Sequence, residues 1–183
     1  MAKPTARPIA KPTAELSAGP SPQPYAALSA ELSSGPSLAL PDAVLFACSE
    51  NSVRSPMAEG LLKHLLGHRI YVDSVGVRAQ EVNGFAVAAM EELGIDISRH
   101  RAKTFDDLED SSFDLIVSLS PEAQHSAVEM TRTMACDVVY WPTLDPTMVE
   151  GTREERLEAF RRSRDDLLAR IQARFPKDLK PEV

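Results

Sequence analysis

The sequence predicts an α/β fold, in which a single domain is built on a parallel β-sheet covered by helices. Two observations support this prediction. Short apolar runs, typical of buried strands, alternate along the chain with segments whose apolar residues recur every three or four positions, as in amphipathic helices. The first run, residues 43–47, leads through a short loop directly into such a segment. Strands that alternate with helices form parallel sheets, and these sheets bind ligands beyond the carboxyl ends of their strands.

The same patterns place the individual elements. The first helix is predicted over residues 56–67, and its core-facing stripe is Met57, Leu61, Leu62 and Leu65. The other predicted elements are strands over residues 69–75, 113–119 and 136–141 and helices over residues 84–93, 121–130 and 152–175. The stripe of the last helix is Leu157, Phe160, Leu167, Leu168 and Ile171. Gly94 suits the end of the second helix, because glycine adopts the left-handed conformation that often terminates helices.

Charged residues of the first helix have simple interpretations. Glu59 is expected in the first turn, where a negative charge is favourable against the helix dipole. The alternative for Glu59 is that it braces the preceding loop from behind. His64 and His68 are four residues apart, but no third ligand is evident, so we expect a solvated face and no metal site.

Composition limits the class of protein. The net charge of −7 argues against general binding to nucleic acid. No apolar run approaches the ~20 residues of a membrane span, and the first residues lack the apolar core of a secretory signal. Two cysteines, Cys48 and Cys136, do not make a disulfide framework and favour a reduced, cytoplasmic setting.

Residues 1–41 differ from the rest of the chain. They hold eight of its 14 prolines, many Ala and Ser, and two internally repeated segments. Such a composition does not bury enough apolar surface to offset chain entropy, so a disordered tail is predicted before a domain over residues 42–183. A docking tail, a transit peptide and a start codon placed too far upstream are the alternatives.

The loop after the first strand has the features of an anion site. It reads Cys-Ser-Glu-Asn-Ser-Val-Arg-Ser-Pro over residues 48–56. Backbone N–H groups of a loop that enters a helix lack intrahelical partners, and the helix dipole adds positive potential there. Ser55 is expected as the helix N-cap and Pro56 as the first helical residue. The residues predicted to bind phosphate are Ser49, Glu50, Asn51, Ser52, Val53, Arg54 and Ser55.

Cys48 is the predicted nucleophile at the base of this loop. Inward N–H dipoles and a nearby guanidinium favour the thiolate form of a cysteine. Arg54 suits a tetrahedral oxyanion, because a guanidinium grips two oxygens at once. The alternative is a structural cysteine that ends a buried strand, with Arg54 an ordinary surface arginine.

Asp145 follows the last predicted strand in the segment Trp-Pro-Thr-Leu-Asp-Pro-Thr, residues 141–147. This loop is expected at the same sheet edge as Cys48. A carboxyl group there is a candidate general acid for the leaving oxygen of a phosphate ester. The alternative is ordinary turn formation by Asp-Pro.

Together these residues resemble the low-molecular-weight protein tyrosine phosphatase family, which includes the thioredoxin-coupled arsenate reductases. The resemblance extends from the loop to the segments 73–76 (Asp-Ser-Val-Gly), 94–102 and 113–117 (Phe-Asp-Leu-Ile-Val) and covers residues 43–175. It implies a three-layer sandwich whose parallel sheet has the strand order 2-1-3-4. It also implies that Cys48, Arg54 and Asp145 are catalytic and that Asn51 holds the loop shape.

The sequence departs from the family pattern at several places. No resolving cysteine of the reductase type stands in residues 117–125, so an internal disulfide relay is not expected. Thr147 and Met148 stand where phosphatases carry aromatic residues that flank the substrate ring. Glu50 replaces a glycine, and either it points to solvent or it weakens phosphate binding. Val53 replaces a second, protective loop cysteine.

The resemblance implies hydrolysis of phosphotyrosine-type phosphomonoesters through a cysteinyl-phosphate, without a cofactor or metal. The expected partners are a phosphorylated protein or a small phosphoester, with inhibition by phosphate-like oxyanions. One alternative is an arsenate reductase that uses an external thiol. Another is an inactive module that binds an oxyanion.

Overall fold

The computed structural model describes residues 40–109 and 112–175, in which strands and helices alternate. The predicted tail, residues 1–41, lies outside this part of the chain except for its last two residues. The elements are β1 (Ala43–Cys48), α1 (Arg54–Leu66), β2 (Tyr71–Gly76), α2 (Gly84–Glu91), β3 (Leu115–Ser118), α3 (Pro121–Met130), β4 (Asp137–Tyr140) and α4 (Arg153–Arg174). None of these helices is long and apolar enough to cross a membrane.

The four strands are parallel and have the order β2-β1-β3-β4, which confirms the expected topology. Strand β1 is central and fully buried, and its side chains alternate between the two faces of the sheet. Val44 and Phe46 face the core formed with α1, α2 and α4, whereas Leu45 and Ala47 face α3. A large side chain such as Phe46, which is 0% exposed, contributes about 2–3 kcal/mol by burial. The result is a three-layer sandwich with Cys48 at the carboxyl end of its central strand.

Helix α1 begins at Arg54, two residues earlier than predicted. Ser55 therefore lies inside the first turn, and the predicted N-cap at Ser55 is wrong. Val53 occupies the N-cap position, and no side chain caps the helix. The Ser55 hydroxyl turns inward instead and lies within hydrogen-bond distance of the Cys48 sulfur and the Val75 carbonyl. Because no side chain caps α1, its first N–H groups remain oriented toward the loop.

Other differences between the predicted and the observed elements are small. The partly buried Leu65 and Leu168 pack against the core from its edge, and Leu66 takes a fully interior position in α1. Gly94 has a φ of 73°, as expected of a residue that follows a helix. His64 and His68 are exposed, and no cluster of three or more metal-ligating side chains occurs among the described residues.

Candidate active site

The loop between β1 and α1 is held by main-chain hydrogen bonds from the segment after β2. The carbonyls of Cys48, Ser49, Glu50 and Ser52 accept from backbone N–H groups in residues 77–83, at 2.9–3.1 Å. In a trans peptide, the N–H of the next residue points away from such a carbonyl. The amides that follow these four carbonyls are thus turned to the opposite side, where the Asn51 N–H reaches the sulfur of Cys48. Those of Ser49, Glu50, Ser52 and Val53 donate to nothing in the described part of the chain.

Gly76, at the end of β2, allows this close approach of the two segments. A Cβ at this position would collide with the carbonyl oxygen of Arg78 and would lie 2.6 Å from the amide nitrogen of Asn51. A side chain there would therefore push the loop away from β2. Gly76 therefore helps to shape the cradle, by which we mean the backbone amides of residues 49–53.

Cys48 is 2% exposed, and its sulfur receives two polar contacts. The backbone N–H of Asn51 donates to the sulfur at 3.2 Å, and the Ser55 hydroxyl lies 3.0 Å from it. Ser55 has one hydroxyl proton, which it gives either to the sulfur or to the Val75 carbonyl at 3.1 Å. When the Ser55 proton is directed at the sulfur, both contacts place a hydrogen-bond donor against it.

Asn51 fixes the shape of the loop. It has a φ of 50°, a left-handed conformation that asparagine tolerates better than most residues. Its Nδ2 donates to the hydroxyls of Ser55 and Ser74 at 2.9 and 2.8 Å. Its Oδ1 accepts from the backbone N–H of Lys103 at 2.9 Å and from the ring of His100 at 3.1 Å. The fully buried amide thus ties the loop to β2 and to the segment before β3.

Glu59 supports this network from behind, and its predicted role in the first helical turn is wrong. Since α1 begins at Arg54, Glu59 lies beyond the first turn, on the face packed against β2. Its Oε2 accepts from the Ser74 hydroxyl at 2.5 Å and lies 3.5 Å from Nδ1 of His100. The alternative expectation, that Glu59 braces the loop, describes its contacts.

Arg54, the first residue of α1, contacts both the loop and the segment after β4, and it is 6% exposed. Its Nη1 donates to the carbonyl of Thr143 at 3.0 Å, and its Nη2 donates to the hydroxyl of Ser49 at 3.1 Å. The same Nη2 lies 3.0 Å from Oδ2 of Asp145. The surface-arginine alternative is thereby wrong, because the side chain is buried and joins the loop to the segment after β4.

Asp145 combines the two interpretations of its segment. It caps a short 3₁₀ helix, Pro146–Met148, by accepting from the N–H and the hydroxyl of Thr147 at 3.0 and 2.7 Å. This is turn chemistry, and it leaves Oδ2 directed at Arg54. The turn positions the carboxyl at the sheet edge where Cys48 lies.

Glu50 points away from the cradle. Its side chain is 42% exposed, and Oε1 lies 3.5 Å from Nη2 of Arg78. A carboxylate in this position is partly neutralised and directed to solvent. Of the two possibilities considered for Glu50, the solvent-facing orientation is observed.

Glu122 lies beside Ser49 at the edge of the loop, and its place in the site was not predicted from the sequence. It accepts from the Ser49 hydroxyl at 3.1 Å. Hydrogen bonds from its own backbone N–H at the start of α3 and from Ser49 lower the pKa of this carboxyl. The available signal was its place just after β3, since the carboxyl ends of parallel strands share one edge.

The two cysteines lie at opposite ends of the sheet. Cys48 ends β1, whereas Cys136 precedes Asp137, which is level with Val44 through Leu115. They are separated by at least four strand residues, or about 13 Å, beyond the ~7 Å Cα distance that a disulfide spans. Cys136 is only partly buried, and burial is the main cause that raises the pKa of its thiol.

We therefore expect no internal disulfide when the native protein is treated with stoichiometric hydrogen peroxide. Intact mass spectrometry without reductant should show oxygen addition at Cys48 and no species lighter by two hydrogens. A monomeric species lighter by two hydrogens, with a Cys48–Cys136 crosslinked peptide, would contradict the separation of the two thiols.

Comparisons with known proteins place this fold and loop in a family. The family model of low molecular weight phosphotyrosine protein phosphatase matches residues 43–173. Arsenate reductase from Halalkalibacterium halodurans is 42% identical over 130 residues, which cover 70% of this chain and 91% of the relative.

Solved structures agree with this match. A low molecular weight protein tyrosine phosphatase from T. tengcongensis is 29% identical with a TM-score of 0.60, covering 75% of this chain and 99% of that one. An arsenate reductase in the phosphate-binding state is 30% identical with a TM-score of 0.56, covering 72% and 95%.

The fold and the family match define an enzyme of the cysteine-dependent phosphatase class. The chain belongs to the low molecular weight phosphotyrosine protein phosphatase family, whose structural relatives include both phosphatases and arsenate reductases.

Proposed function

We propose that this protein hydrolyses phosphomonoesters of the phosphotyrosine type through a cysteinyl-phosphate intermediate. One observation carries the proposal: a thiol, a guanidinium and a carboxyl group converge on one cradle of inward-facing amides. Arg54 links the three, because it lies in the same loop as Cys48 and 3.0 Å from Asp145. This arrangement supplies a nucleophile, an anion clamp and a proton donor without a metal.

In the first step, the loop amides and Arg54 bind the phosphate dianion. The Cys48 thiolate attacks phosphorus, and the bond from phosphorus to the ester oxygen breaks as the sulfur–phosphorus bond forms. Asp145, protonated, gives its proton to the leaving oxygen. Preorganised N–H groups and the guanidinium stabilise the charge that develops on the phosphoryl oxygens.

In the second step, water attacks the phosphorus of the cysteinyl-phosphate. The Asp145 carboxylate takes a proton from this water, and the sulfur leaves as the thiolate with release of inorganic phosphate. Phosphate and similar oxyanions bind the same cradle and are expected to inhibit the enzyme.

The ion pair between Arg54 and Asp145 couples substrate binding to the protonation of the acid. A dianion bound to Arg54 competes with the Asp145 carboxylate for the guanidinium and repels that carboxylate. A protonated Asp145 carboxyl group neither competes strongly for the guanidinium nor is repelled by the dianion. Dianion binding and protonation of Asp145 therefore favour each other, which prepares the carboxyl group for its role as proton donor.

Preference for an aryl ester is consistent with the surface around Asp145. Leu144 and Met148 flank it, with exposed fractions of 91% and 79%. Exposed apolar side chains beside a catalytic carboxyl suit contact with an aromatic leaving group. Met148, with Thr147, stands where related phosphatases carry aromatic residues, and Leu144 lies on the other side of Asp145 in sequence.

The substitution Asp145→Asn should lower kcat/KM on phenyl phosphate, which reports the first step of the reaction, by about 10²–10⁴-fold, the usual contribution of a general acid. The loss on p-nitrophenyl phosphate should be smaller, because p-nitrophenolate leaves without being protonated. Steady-state kinetics on both esters between pH 5 and 8 measure the difference.

Asp106→Asn is the matched control, because Asp106 is an exposed aspartate outside the site. It should retain wild-type kinetics on both esters. Equal losses of kcat/KM on the two esters in the Asp145 variant would contradict a proton donor and indicate a binding role, because the shared second step does not enter kcat/KM.

A second candidate function is arsenate reduction, favoured by the 42% identity to a protein named arsenate reductase. The separation of Cys48 from Cys136 requires that an external thiol release the arsenic adduct. Arsenate reduction with added glutathione, mycothiol or thioredoxin, measured beside phosphoester hydrolysis, decides between the two. Binding of phosphate without turnover in either assay would indicate an oxyanion-binding module.

A further inference from the structure

A cavity adjoins the candidate active site. It has a volume of about 850 Å³ and lies between the segment 142–150 and the outer face of α4. Asp145 is among its lining residues and also contacts Arg54. The groove and the candidate phosphate site therefore share Asp145.

The groove is rich in negative charge. Six carboxylates line it, against the two guanidiniums of Arg162 and Arg170. Two further arginines outside the lining, Arg54 and Arg161, form ion pairs with lining carboxylates. Carboxylates still outnumber guanidiniums by six to four, and Glu150 has no ion-pair partner in residues 40–109 and 112–175. The charge balance favours a cationic occupant.

An unpaired hydroxyl lies in the same groove. Ser163 is one of the lining residues and is 8% exposed. Its Oγ is the single buried side-chain polar atom without a hydrogen-bond partner in the described part of the chain. A buried hydroxyl without a partner is costly, and a ligand that bonds to it removes this cost.

The remaining lining is apolar. Leu144, Pro146, Val149 and Ala159 provide aliphatic surface between the charged groups. Lysine and arginine side chains lay their methylene stems along such surface while their charged ends reach carboxylates. The combination of an aliphatic floor and carboxylates fits these two side chains.

We propose that this groove binds a lysine or arginine side chain of a phosphorylated protein substrate, near the phosphorylated residue in sequence. The proposal rests on the phosphatase function proposed above. The shared residue Asp145 sets the proximity of the basic side chain to the phosphoryl group. Glu150, which has no ion-pair partner in the described residues, and Glu158, whose contacts with Arg161 and Arg162 are both long at 3.4 Å, are the carboxylates assigned to the cation. Ser163 supplies a hydrogen bond.

The test uses phosphotyrosyl peptides that are identical except for lysine or glutamine at each position within three residues of the phosphotyrosine. The wild-type protein should show a kcat/KM about 1.5- to fivefold higher for the best lysine peptide, the range expected of exposed charge pairs. This preference should fall between 50 and 500 mM NaCl, because salt screens exposed charges.

The double substitution Glu150→Gln/Glu158→Gln should bring the lysine-to-glutamine ratio close to one. The control Glu129→Gln/Asp106→Asn removes the same charge from exposed positions outside the groove and should keep the wild-type ratio. Ser163→Ala should raise KM for the lysine peptide more than for the glutamine peptide.

Two failures are distinguishable. Absence of turnover of p-nitrophenyl phosphate and of every peptide would overturn the proposed phosphatase function. Normal turnover with equal kcat/KM for lysine and glutamine peptides, or a preference that survives in the double variant, would overturn the groove while the phosphatase function stands.

Discussion

Cys48→Ser is expected to reduce turnover of phenyl phosphate and p-nitrophenyl phosphate by at least about 10⁴-fold, to the limit of detection, as losses of catalytic nucleophiles do. The sulfur is the group that the proposed mechanism uses as the nucleophile, and a thiol is far more acidic than an alcohol. A serine hydroxyl stays protonated there, and no base in contact with Cys48 would take its proton: the contacts described are the Asn51 N–H and the Ser55 hydroxyl.

The same variant should retain the anion site. In the proposed mechanism the loop amides and Arg54 hold the phosphate, and none of them is changed, so calorimetric titration with inorganic phosphate should give a Kd within a few-fold of the wild-type value. Cys136→Ser is the matched control and should keep wild-type kinetics, because Cys136 lies at the far end of the sheet. Turnover near wild type in the Cys48 variant would refute the nucleophile assignment.

The largest effect on stability is expected from Asn51→Ala, which should lower the free energy of unfolding by about 3–6 kcal/mol. Alanine in the left-handed conformation costs roughly 1–2 kcal/mol. Each lost buried hydrogen bond costs about 0.5–1.5 kcal/mol net, and the abandoned groups on Ser55, Ser74 and Lys103 lose their partner. Urea denaturation measures this loss, and kcat/KM should fall with it because the loop loses its support.

Asn51→Gly separates the two contributions. Glycine adopts a φ of 50° without the steric cost but makes none of the side-chain hydrogen bonds. It should therefore be more stable than the alanine variant, with kcat/KM still reduced. If the alanine variant matched the wild type in unfolding free energy, neither strain nor the hydrogen-bond network would be important at this position.

Features with local signals could be predicted from the sequence. Helix α3 has its predicted bounds, because Ser120 accepts from the Ala123 N–H as an N-cap and Pro121 follows it. The apolar run before Cys48 is the buried central strand, because its local pattern of consecutive apolar residues is itself the signal of a strand in the interior. The strand order came from the family resemblance, since a short apolar run does not state which strand is its neighbour.

Features that depend on distant partners could not be read locally. Serine is a residue type that favours the N-cap, which is why Ser55 was predicted there. Its hydroxyl contacts Cys48 and Val75 only after β1 and β2 pair. Glu59 looked like a dipole contact because its partner Ser74 is 15 residues away in sequence. Glu122 was missed because its partner, Ser49, precedes it by 73 residues.

The main-chain clamp on the loop has a consequence for how this site tolerates substitution. Apart from Arg54, the donors that the proposed mechanism uses to bind the anion are backbone amides, and their direction is set by carbonyls bonded to residues 77–83. Side chains that point out of the loop are therefore free to differ without rebuilding it, as Glu50 does in place of glycine. Position 50 offers protein engineers a place to vary the charge near the candidate anion site while the backbone amides of the loop keep their direction.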